Sequence, residues 1–325
     1  MKIVYLGSGQ FGIPCLNALA GSDHTITLIV TQPPQPAGRG RKTTPTPVAK
    51  WAKSHSLNLM ETDNINTTEN FKKIASLQPD IIIVIAFGQK ISNQLINLPP
   101  KKAVNVHASL LPKYRGAAPI NWAIINGQTQ TGITIITLAE KIDAGNILAQ
   151  KKTQILPQET AEMLHNRLAE IAASFLLETI DRIADGTATY APQDHSQATA
   201  APRLKKSDGF LGFNNPADSL ERKIRGLWPW PGASAVYISK KTQKPQQVTI
   251  AMAQVVKTSN PQNLAPGTLD QNLNVICGQD SIKIIKIKPQ SSRTMDFTDF
   301  VNGRKTQPGD IFTKIHDLAS PDPHK

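Results

Sequence analysis

The most constraining feature of the sequence is the apolar run PDIIIVIAFG, from Pro79 to Gly88. Its central five residues are all Ile or Val, so both faces of the predicted strand must be buried. A strand buried on both faces is typical of a parallel sheet that is covered by helices. The stretches KIVYLG and HTITLIVTQPP predict two further strands, with a helix between them. We therefore predict an α/β domain with a Rossmann-like, parallel-type sheet in the N-terminal part of the chain.

The turn after the first predicted strand, Gly7 to Gly12, formally matches the dinucleotide-binding fingerprint G-x-G-x-x-G. That fingerprint expects an acidic residue about 20 positions further on, at the end of the second strand. Here the second strand ends Val30-Thr31-Gln32-Pro33-Pro34, without a carboxylate. We interpret the glycines as permitting a tight strand-to-helix turn, and a nicotinamide-dependent dehydrogenase is disfavoured.

A short apolar strand, Ala103 to Val106, carries two polar residues, Asn105 and His107. Their period-2 spacing directs both side chains to one face. An amide and an imidazole at the carboxyl end of a buried strand are costly unless they are hydrogen-bonded. Ligands bind at that end of the strands in open α/β sheets. A histidine that is simply satisfied within the core remains the alternative.

The stretch from Thr131 to Gln150 predicts two strands with Asp143 in the turn between them. Taken alone, an aspartate near a glycine is ordinary turn chemistry.

A later stretch, 187–206, is rich in Ala, Thr, Gln and Pro and lacks periodicity, which favours a linker. Its residues Gln193-Asp194-His195 could still reach a site.

The chain carries a formal net charge of +12, which suggests a polyanionic partner such as a nucleic acid. Residues 1–200 contain 18 basic and 14 acidic side chains, whereas residues 201–325 contain 18 and 10. The basic excess is thus concentrated in the C-terminal part. The Pro- and Gly-rich loop around Arg39, Arg41 and Lys42 is also basic. Its composition fits two interpretations equally well, a solvated surface loop and an arm that contacts phosphates.

The C-terminal part contains short strands separated by turns, such as SAVYI, QVTIAMAQVV and SIKIIKIKP. This pattern predicts a small β-barrel. We expect three segments: a domain at 1–188, a linker at 189–206 and a barrel domain at 207–318.

The two cysteines, Cys15 and Cys277, lie far apart and in no metal-like spacing. They predict neither a disulfide framework nor a zinc site, and the seven scattered histidines predict no metal cluster. No apolar run approaches the roughly 20 residues of a membrane span. Because the chain starts directly with a strand, we expect no signal peptide and a cytoplasmic location. We also expect a monomer.

Several stretches together resemble the methionyl-tRNA formyltransferases, from Lys2 to about Phe312. They are TQPPQPAGRGRK, NVHASLLPKYRGAAPI, TGITI with the IDAG turn, LERKIRGLWPWPG and the late PGTL. The Asn-x-His-x-Ser-Leu-Leu-Pro core with a downstream Asp is shared by folate-dependent formyltransferases in general. The GRGRK loop and the basic tail are what single out the tRNA enzymes.

The resemblance implies an α/β formyltransferase domain followed by an OB-like barrel, with 10-formyltetrahydrofolate as co-substrate, initiator methionyl-tRNA as partner and no metal. It implies that the catalytic residues are Asn105, His107 and Asp143. It implies that the folate-binding residues are Phe87, Gly88, Ser109, Leu110, Leu111 and Pro112. It implies that the tRNA-binding residues are Arg39, Arg41 and Lys42.

This sequence departs from the family pattern around Asp143. The family usually shows Gly-Leu-Asp-Thr-Gly-Asp, and this chain has Lys-Ile-Asp-Ala-Gly-Asn at 141–146. The aspartate and the glycine remain, but a threonine and a second acid are lost. The departure affects the expected hydrogen bonds of the loop rather than the chemistry.

The expected reaction is attack of the methionyl-tRNA amine on the formyl carbon, which gives N-formylmethionyl-tRNA for translation initiation. Asn105 and His107 would stabilise the oxyanion, and Asp143 would relay protons. Two alternatives remain. A folate formyltransferase acting on a small amine would leave the basic tail unexplained, and a non-catalytic RNA-binding protein would tolerate loss of Asn105.

Overall fold

The computed structural model describes residues 1–37, 42–258 and 263–315. The chain divides into two compact units. The first unit contains Met1–Pro119, Gln130–Gln154 and Met163–Pro202, and the second contains Ile120–Thr129, Ile155–Glu162 and the chain from Arg203 onward. The predicted boundaries at 188 and 207 remain predictions.

The first 184 residues contain both strands and helices. The strands are β1 (Lys2–Gly7), β2 (Thr25–Thr31), β3 (Gln35–Ala37), β4 (Lys42–Thr44), β5 (Leu59–Glu61), β6 (Ile81–Ile85), β7 (Ala103–His107), β8 (Gln130–Thr137) and β9 (Ile147–Gln154). The helices are α1 (Ile13–Ala20), α2 (Pro47–Ser54), α3 (Thr68–Ser76), α4 (Asn93–Ile96), α5 (Pro119–Ile125) and α6 (Ala161–Ala184).

Seven of these strands form one sheet in the order β5-β2-β1-β6-β7-β8-β9. The pairs from β5 to β7 are parallel, whereas β7–β8 and β8–β9 are antiparallel. All five residues of β6 are buried, as its apolar sequence predicts. The predicted α/β class with a parallel-type sheet is thus confirmed, with an antiparallel extension at one edge.

The glycines that follow β1 make room for a buried tyrosine. A Cβ at Gly12 would overlap the Tyr5 hydroxyl, and a Cβ at Gly7 would lie 2.6 Å from the Tyr5 ring. Tyr5 is fully buried. The glycines therefore serve packing at a tight turn, which agrees with the interpretation from sequence.

The second unit contains a β-rich segment after residue 203. Its strands are β10 (Ala233–Ile238), β11 (Pro245–Val256), β12 (Val275–Ile276), β13 (Ser281–Pro289), β14 (Met295–Asp296) and β15 (Ile311–Thr313). Its helices are α7 (Ala217–Leu227) and α8 (Phe297–Arg304). The antiparallel sheet has the order β12-β13-β11-β10-β15, and β14 pairs with β13.

A short stretch before β12 joins the two edges of this sheet. Thr268 pairs with Ile311 of β15, and Leu269 pairs with Val275 of β12. Closure satisfies backbone groups that an open edge would expose to other chains. The sheet is therefore nearly closed and barrel-like, which confirms the predicted OB-like barrel.

Each unit has its own apolar core. The larger sheet packs Leu6, Val30, Ile74 and other buried residues on one face, while the barrel encloses Ile250, Ile284, Phe312 and their neighbours. The core positions of β7 matter most for function, because Val104 and Val106 anchor the strand that carries Asn105 and His107.

Candidate active site

Asn105 and His107 lie at the carboxyl end of β7, next to antiparallel β8. His107 is buried, with 6% of its surface exposed. Its Nε2 lies 2.9 Å from the backbone carbonyl O of Tyr114. Because a carbonyl only accepts hydrogen bonds, Nε2 carries the proton in this contact. The core-histidine alternative is thus partly right, since one ring nitrogen has a structural partner.

Asp143 lies in the loop between β8 and β9 and joins this pair. Its Oδ1 lies 3.4 Å from Nδ2 of Asn105, and its Oδ2 lies 3.5 Å from Nδ1 of His107. The backbone N–H of Gly116 donates to Oδ2 at 2.8 Å. The structure thus brings together the three residues that the resemblance names as catalytic. The sequence alone favoured an ordinary turn role for Asp143.

The Asp143 loop has a constrained backbone. Asp143 has φ +52°, a left-handed conformation that is uncommon for a non-glycine residue. Two residues later, a Cβ on Gly145 would overlap the carbonyl O of Thr137. The Thr137 side chain also accepts from the backbone N–H of Asn146 at 3.0 Å. Glycine at 145 is therefore required for the loop to fold back onto β8.

The predicted folate-binding stretch 109–112 follows His107. Ser109 is fully buried, and its hydroxyl donates to the carbonyl O of Lys113 at 2.7 Å. Leu111 is buried, whereas Leu110 and Pro112 are partly exposed. Hence Ser109 and Leu111 are enclosed by the protein, while Leu110 and Pro112 keep part of their apolar surface exposed.

Thr134 of β8 holds the stretch 109–112 in place by hydrogen bonds. Its hydroxyl donates to the carbonyl O of Ser109 at 2.6 Å and accepts from the backbone N–H of Leu111 at 3.1 Å. The side chain of Gln150 donates to the carbonyl O of Leu111 at 2.7 Å and to the Thr134 hydroxyl at 3.0 Å. Sequence reasoning missed both residues, because these bonds join distant parts of the chain.

Phe87 and Gly88, the other two predicted folate-binding residues, follow β6. Phe87 is buried, and its carbonyl O accepts from the Gln32 side chain at 2.9 Å and from the Ser8 hydroxyl at 3.3 Å. Gly88 has φ +82°, and a Cβ there would lie 2.5 Å from Nε2 of Gln32. Gly88 itself is exposed.

The predicted tRNA-binding residues fall partly outside the described part of the chain. Arg39 and Arg41 lie in the undescribed residues 38–41. Lys42 is exposed and begins β4, where it pairs with Ala37 of β3.

Gln193 is the main site contact that sequence reasoning only touched on. It is 7% exposed, and its Nε2 donates to the backbone carbonyls of Asp143, at 2.8 Å, and Gly145, at 2.7 Å. Its Oε1 accepts from Nη2 of Arg115 at 2.6 Å. The adjacent Asp194 and His195 are exposed. A glutamine in a stretch without periodicity gives no local signal of such contacts.

Neither cysteine is suited to nucleophilic catalysis. Burial raises the pKa of Cys15 from 9.0 to about 12, and burial also raises the pKa of Cys277 to about 12. Both thiols therefore stay protonated near neutral pH, whereas a nucleophilic cysteine needs its thiolate.

Within residues 1–37, 42–258 and 263–315, no three His, Cys, Asp or Glu side chains form a group that could hold a metal. The helices of that same part include none long and apolar enough to span a membrane.

Family comparisons identify the class to which this fold and site belong. Residues 1–180 match the family described as formyl transferase, and residues 203–305 match the formyl transferase C-terminal domain. The chain is also similar in fold to WlaRD, a sugar 3N-formyl transferase solved in the presence of dTDP and 5-N-formyl-THF. The TM-score is 0.63 at 16% identity, covering 90% of this chain and 99% of that chain. At this identity the likeness shows the fold alone.

Sequence relatives define the group more narrowly. The chain is 35% identical to the methionyl-tRNA formyltransferase of Citrifermentans bemidjiense, over 97% of each chain. It is 36% identical to the methionyl-tRNA formyltransferase of Agathobacter rectalis, over 96% of this chain and 100% of that protein. The chain therefore belongs to the methionyl-tRNA formyltransferase family.

Proposed function

We propose that the protein transfers the formyl group of 10-formyltetrahydrofolate to the amino group of initiator methionyl-tRNA. The observation that carries this proposal is the convergence of Asn105, His107 and Asp143 at the carboxyl end of β7, in a chain of this family. A carboxamide, an imidazole and a carboxylate within hydrogen-bonding reach supply what formyl transfer to an amine needs. These needs are oxyanion stabilisation and proton movement.

Asn105 has the role of oxyanion donor. Its contact with Asp143 at 3.4 Å is long and uses one of the two N–H groups of the amide. The other N–H can donate to the oxygen that becomes negative as the amine attacks the formyl carbon. A preorganised amide donor of this kind contributes about 3–4 kcal/mol to transition-state stabilisation.

His107 acts through charge and position. Its Nε2–H is held by the Tyr114 carbonyl, so Nδ1 is the atom that faces Asp143. With a proton on Nδ1 as well, the imidazolium has an acceptor on each side and places positive charge beside the developing oxyanion.

Asp143 holds and moves the proton. Its Oδ2 accepts from Gly116 and faces His107, whereas Oδ1 has only the long contact with Asn105 within the described structure. Oδ1 is therefore the atom that takes up the proton released by the attacking amine and passes it to N10 of the folate as the bond between N10 and the formyl carbon breaks.

The residues expected to hold the folate fit such a group chemically. Leu110 and Pro112 offer apolar surface, and the exposed Gly88 offers backbone groups, which suits a flat heterocycle with polar edges. When bound, the folate supplies the formyl group and the amine that leaves.

Charge supports tRNA as the acceptor. Arg39, Arg41 and Lys42 would meet phosphates near the acceptor end, and the basic C-terminal part would bind further along the tRNA. On β13, the exposed Lys283, Lys286 and Lys288 add to that charge. We also propose that the enzyme acts as a cytoplasmic monomer.

Transfer of labelled formyl from 10-formyltetrahydrofolate tests this function, with methionyl-tRNA and free methionine as parallel acceptors. We expect label on the charged tRNA alone. Folate turnover without labelled tRNA would instead indicate a small-amine acceptor. Absence of any turnover would favour a non-catalytic RNA-binding protein.

A further inference from the structure

The segment 193–201 crosses the candidate site and contacts both loops that hold it. One loop carries Asp143, and the other, residues 112–118, supplies the partners of Asp143 and His107. All of these residues lie within the first unit.

At one end of the segment, the Gln193 amide fixes the backbone on either side of Ala144. It donates to the carbonyls of Asp143 and Gly145, and the guanidinium of Arg115 occupies its oxygen. These partners define the orientation of the amide. Reversing it would set an NH₂ group against Arg115 and an oxygen against two carbonyls.

At the other end, backbone pairing fixes the 112–118 loop. Arg115 N donates to the carbonyl O of Thr199 at 2.8 Å, and Ala201 N donates to the carbonyl O of Arg115 at 2.6 Å. The Thr199 hydroxyl accepts from the backbone N–H of Tyr114 at 2.9 Å. Gly116 permits this approach, because a Cβ there would lie 2.7 Å from the carbonyl O of Ala201.

The two ends therefore act on the same carboxylate. Asp143 adopts a left-handed backbone, which persists only where its surroundings hold it in place. Gln193 supplies that support through its hydrogen bonds to the backbone of the loop that carries Asp143. Arg115 links the two ends, since its side chain binds Gln193 while its backbone pairs with residues 199–201.

We propose that Gln193 is a positioning residue for formyl transfer, which holds the Asp143 carboxylate in register with Asn105 and His107. The inference rests on the proposed function and adds to it a residue outside the reacting groups. Gln193 acts through Asp143 and need not touch either substrate.

The test compares Gln193→Met, which keeps the length of the side chain and removes its hydrogen bonds, with the wild type. We expect kcat to fall about 10- to 100-fold, because a displacement of about 1 Å at a reacting group costs that much. KM for both substrates should stay within about threefold of the wild-type value, since the contacts that bind the substrates equally in the ground state and the transition state are unchanged. Gln197→Met is the matched control, because Gln197 is exposed and, among the described residues, its side-chain amide donates only to Asp194.

A double-mutant cycle separates positioning from general damage. In an Asp143→Asn background, Gln193→Met should lower kcat less than threefold further, because the group it positions is already disabled. A full additional loss in that background, or a rise in KM without loss of kcat, would overturn the proposal. If Gln193→Met does not fold, Gln193→Glu is measured instead, since it keeps the acceptor for Arg115 and removes both donors.

The outcome also distinguishes this inference from the proposed function. Wild-type enzyme that formylates methionyl-tRNA together with a fully active Gln193→Met variant refutes only the positioning role. Wild-type enzyme that transfers no formyl group refutes the function on which the role rests.

Discussion

The Oδ2 atom of Asp143 accepts a 2.8 Å hydrogen bond from the backbone N–H of Gly116, 27 residues earlier in the chain. The same oxygen faces Nδ1 of His107 at 3.5 Å. Oδ2 thus has two close partners in the protein, whereas Oδ1 has the longer contact of 3.4 Å with Nδ2 of Asn105. The site therefore depends on loops that meet only in the folded chain.

Replacing Asn105 by alanine tests the oxyanion role. We expect kcat to fall about 100- to 1000-fold with little change in KM, as for loss of one preorganised amide donor. Asn58→Ala is the control, since Asn58 is exposed and its side chain donates, within the part of the chain that the structure describes, only to the carbonyl O of Thr27. Steady-state kinetics of both variants decides this, and an Asn105→Ala enzyme with wild-type kcat would remove Asn105 from the mechanism.

Replacing Gly145 by alanine tests the loop geometry. The added Cβ overlaps the Thr137 carbonyl, so the loop must shift and Asp143 must move with it. We expect both a lower melting temperature and a loss of kcat of at least about 10-fold. Gly303→Ala is the matched control, because a Cβ there meets no neighbour within 4 Å in the described structure. As Gly303 lies in helix α8, its replacement should stabilise the protein by about 0.5–1 kcal/mol.

The buried thiols predict a loss of stability at alkaline pH. Burial keeps Cys15 and Cys277 protonated up to a pKa of about 12, whereas in the unfolded chain they ionise from about pH 9. Above pH 9 the unfolded state therefore binds fewer protons than the folded state, and stability falls as pH rises. The slope approaches about 1.4 kcal/mol per pH unit for each thiol.

Unfolding by urea between pH 8.5 and pH 10 measures this slope. The range stays at or below the ordinary tyrosine pKa of 10.0, where an unfolded tyrosine is at most half ionised, so Tyr5 and Tyr237 contribute less to the slope than the two thiols. Cys15→Ala and Cys277→Ala should each flatten the pH dependence, whatever they do to stability at pH 7. If the free energy of unfolding falls equally with rising pH in the wild type and in both variants, groups other than the two thiols cause the fall.

The basic loop predicts salt-sensitive binding of tRNA. Arg39→Ala should raise the KM for methionyl-tRNA several-fold and leave the KM for folate unchanged, because only the tRNA carries phosphates for the guanidinium to meet. Lys73→Ala removes the same charge from an exposed position on helix α3 and serves as the control. A KM for tRNA that depends on neither salt nor Arg39 would contradict the role of the loop.

The fold was largely predictable because its signals are local. The apolar β6 can be buried only between two layers, and the short alternating strands after residue 230 predict a barrel. The antiparallel extension by β8 and β9 was not evident, because a strand sequence does not record the direction of its neighbour. Closure of the barrel through Thr268 and Leu269 was equally hidden.

The site was predictable only in part. Asn105 and His107 share one face because they are two residues apart on a strand, which the sequence alone determines. The sequence also places a glycine at 145, contains the apolar strands that are buried around the site and carries the excess of positive charge. The tertiary structure alone decided that Asp143 faces that pair, that Tyr114 and Gly116 supply backbone partners and that Gln193 holds the loop. The physical reason is that hydrogen bonds from side chains to distant backbone groups follow no period in the sequence and arise only when the strands are assembled.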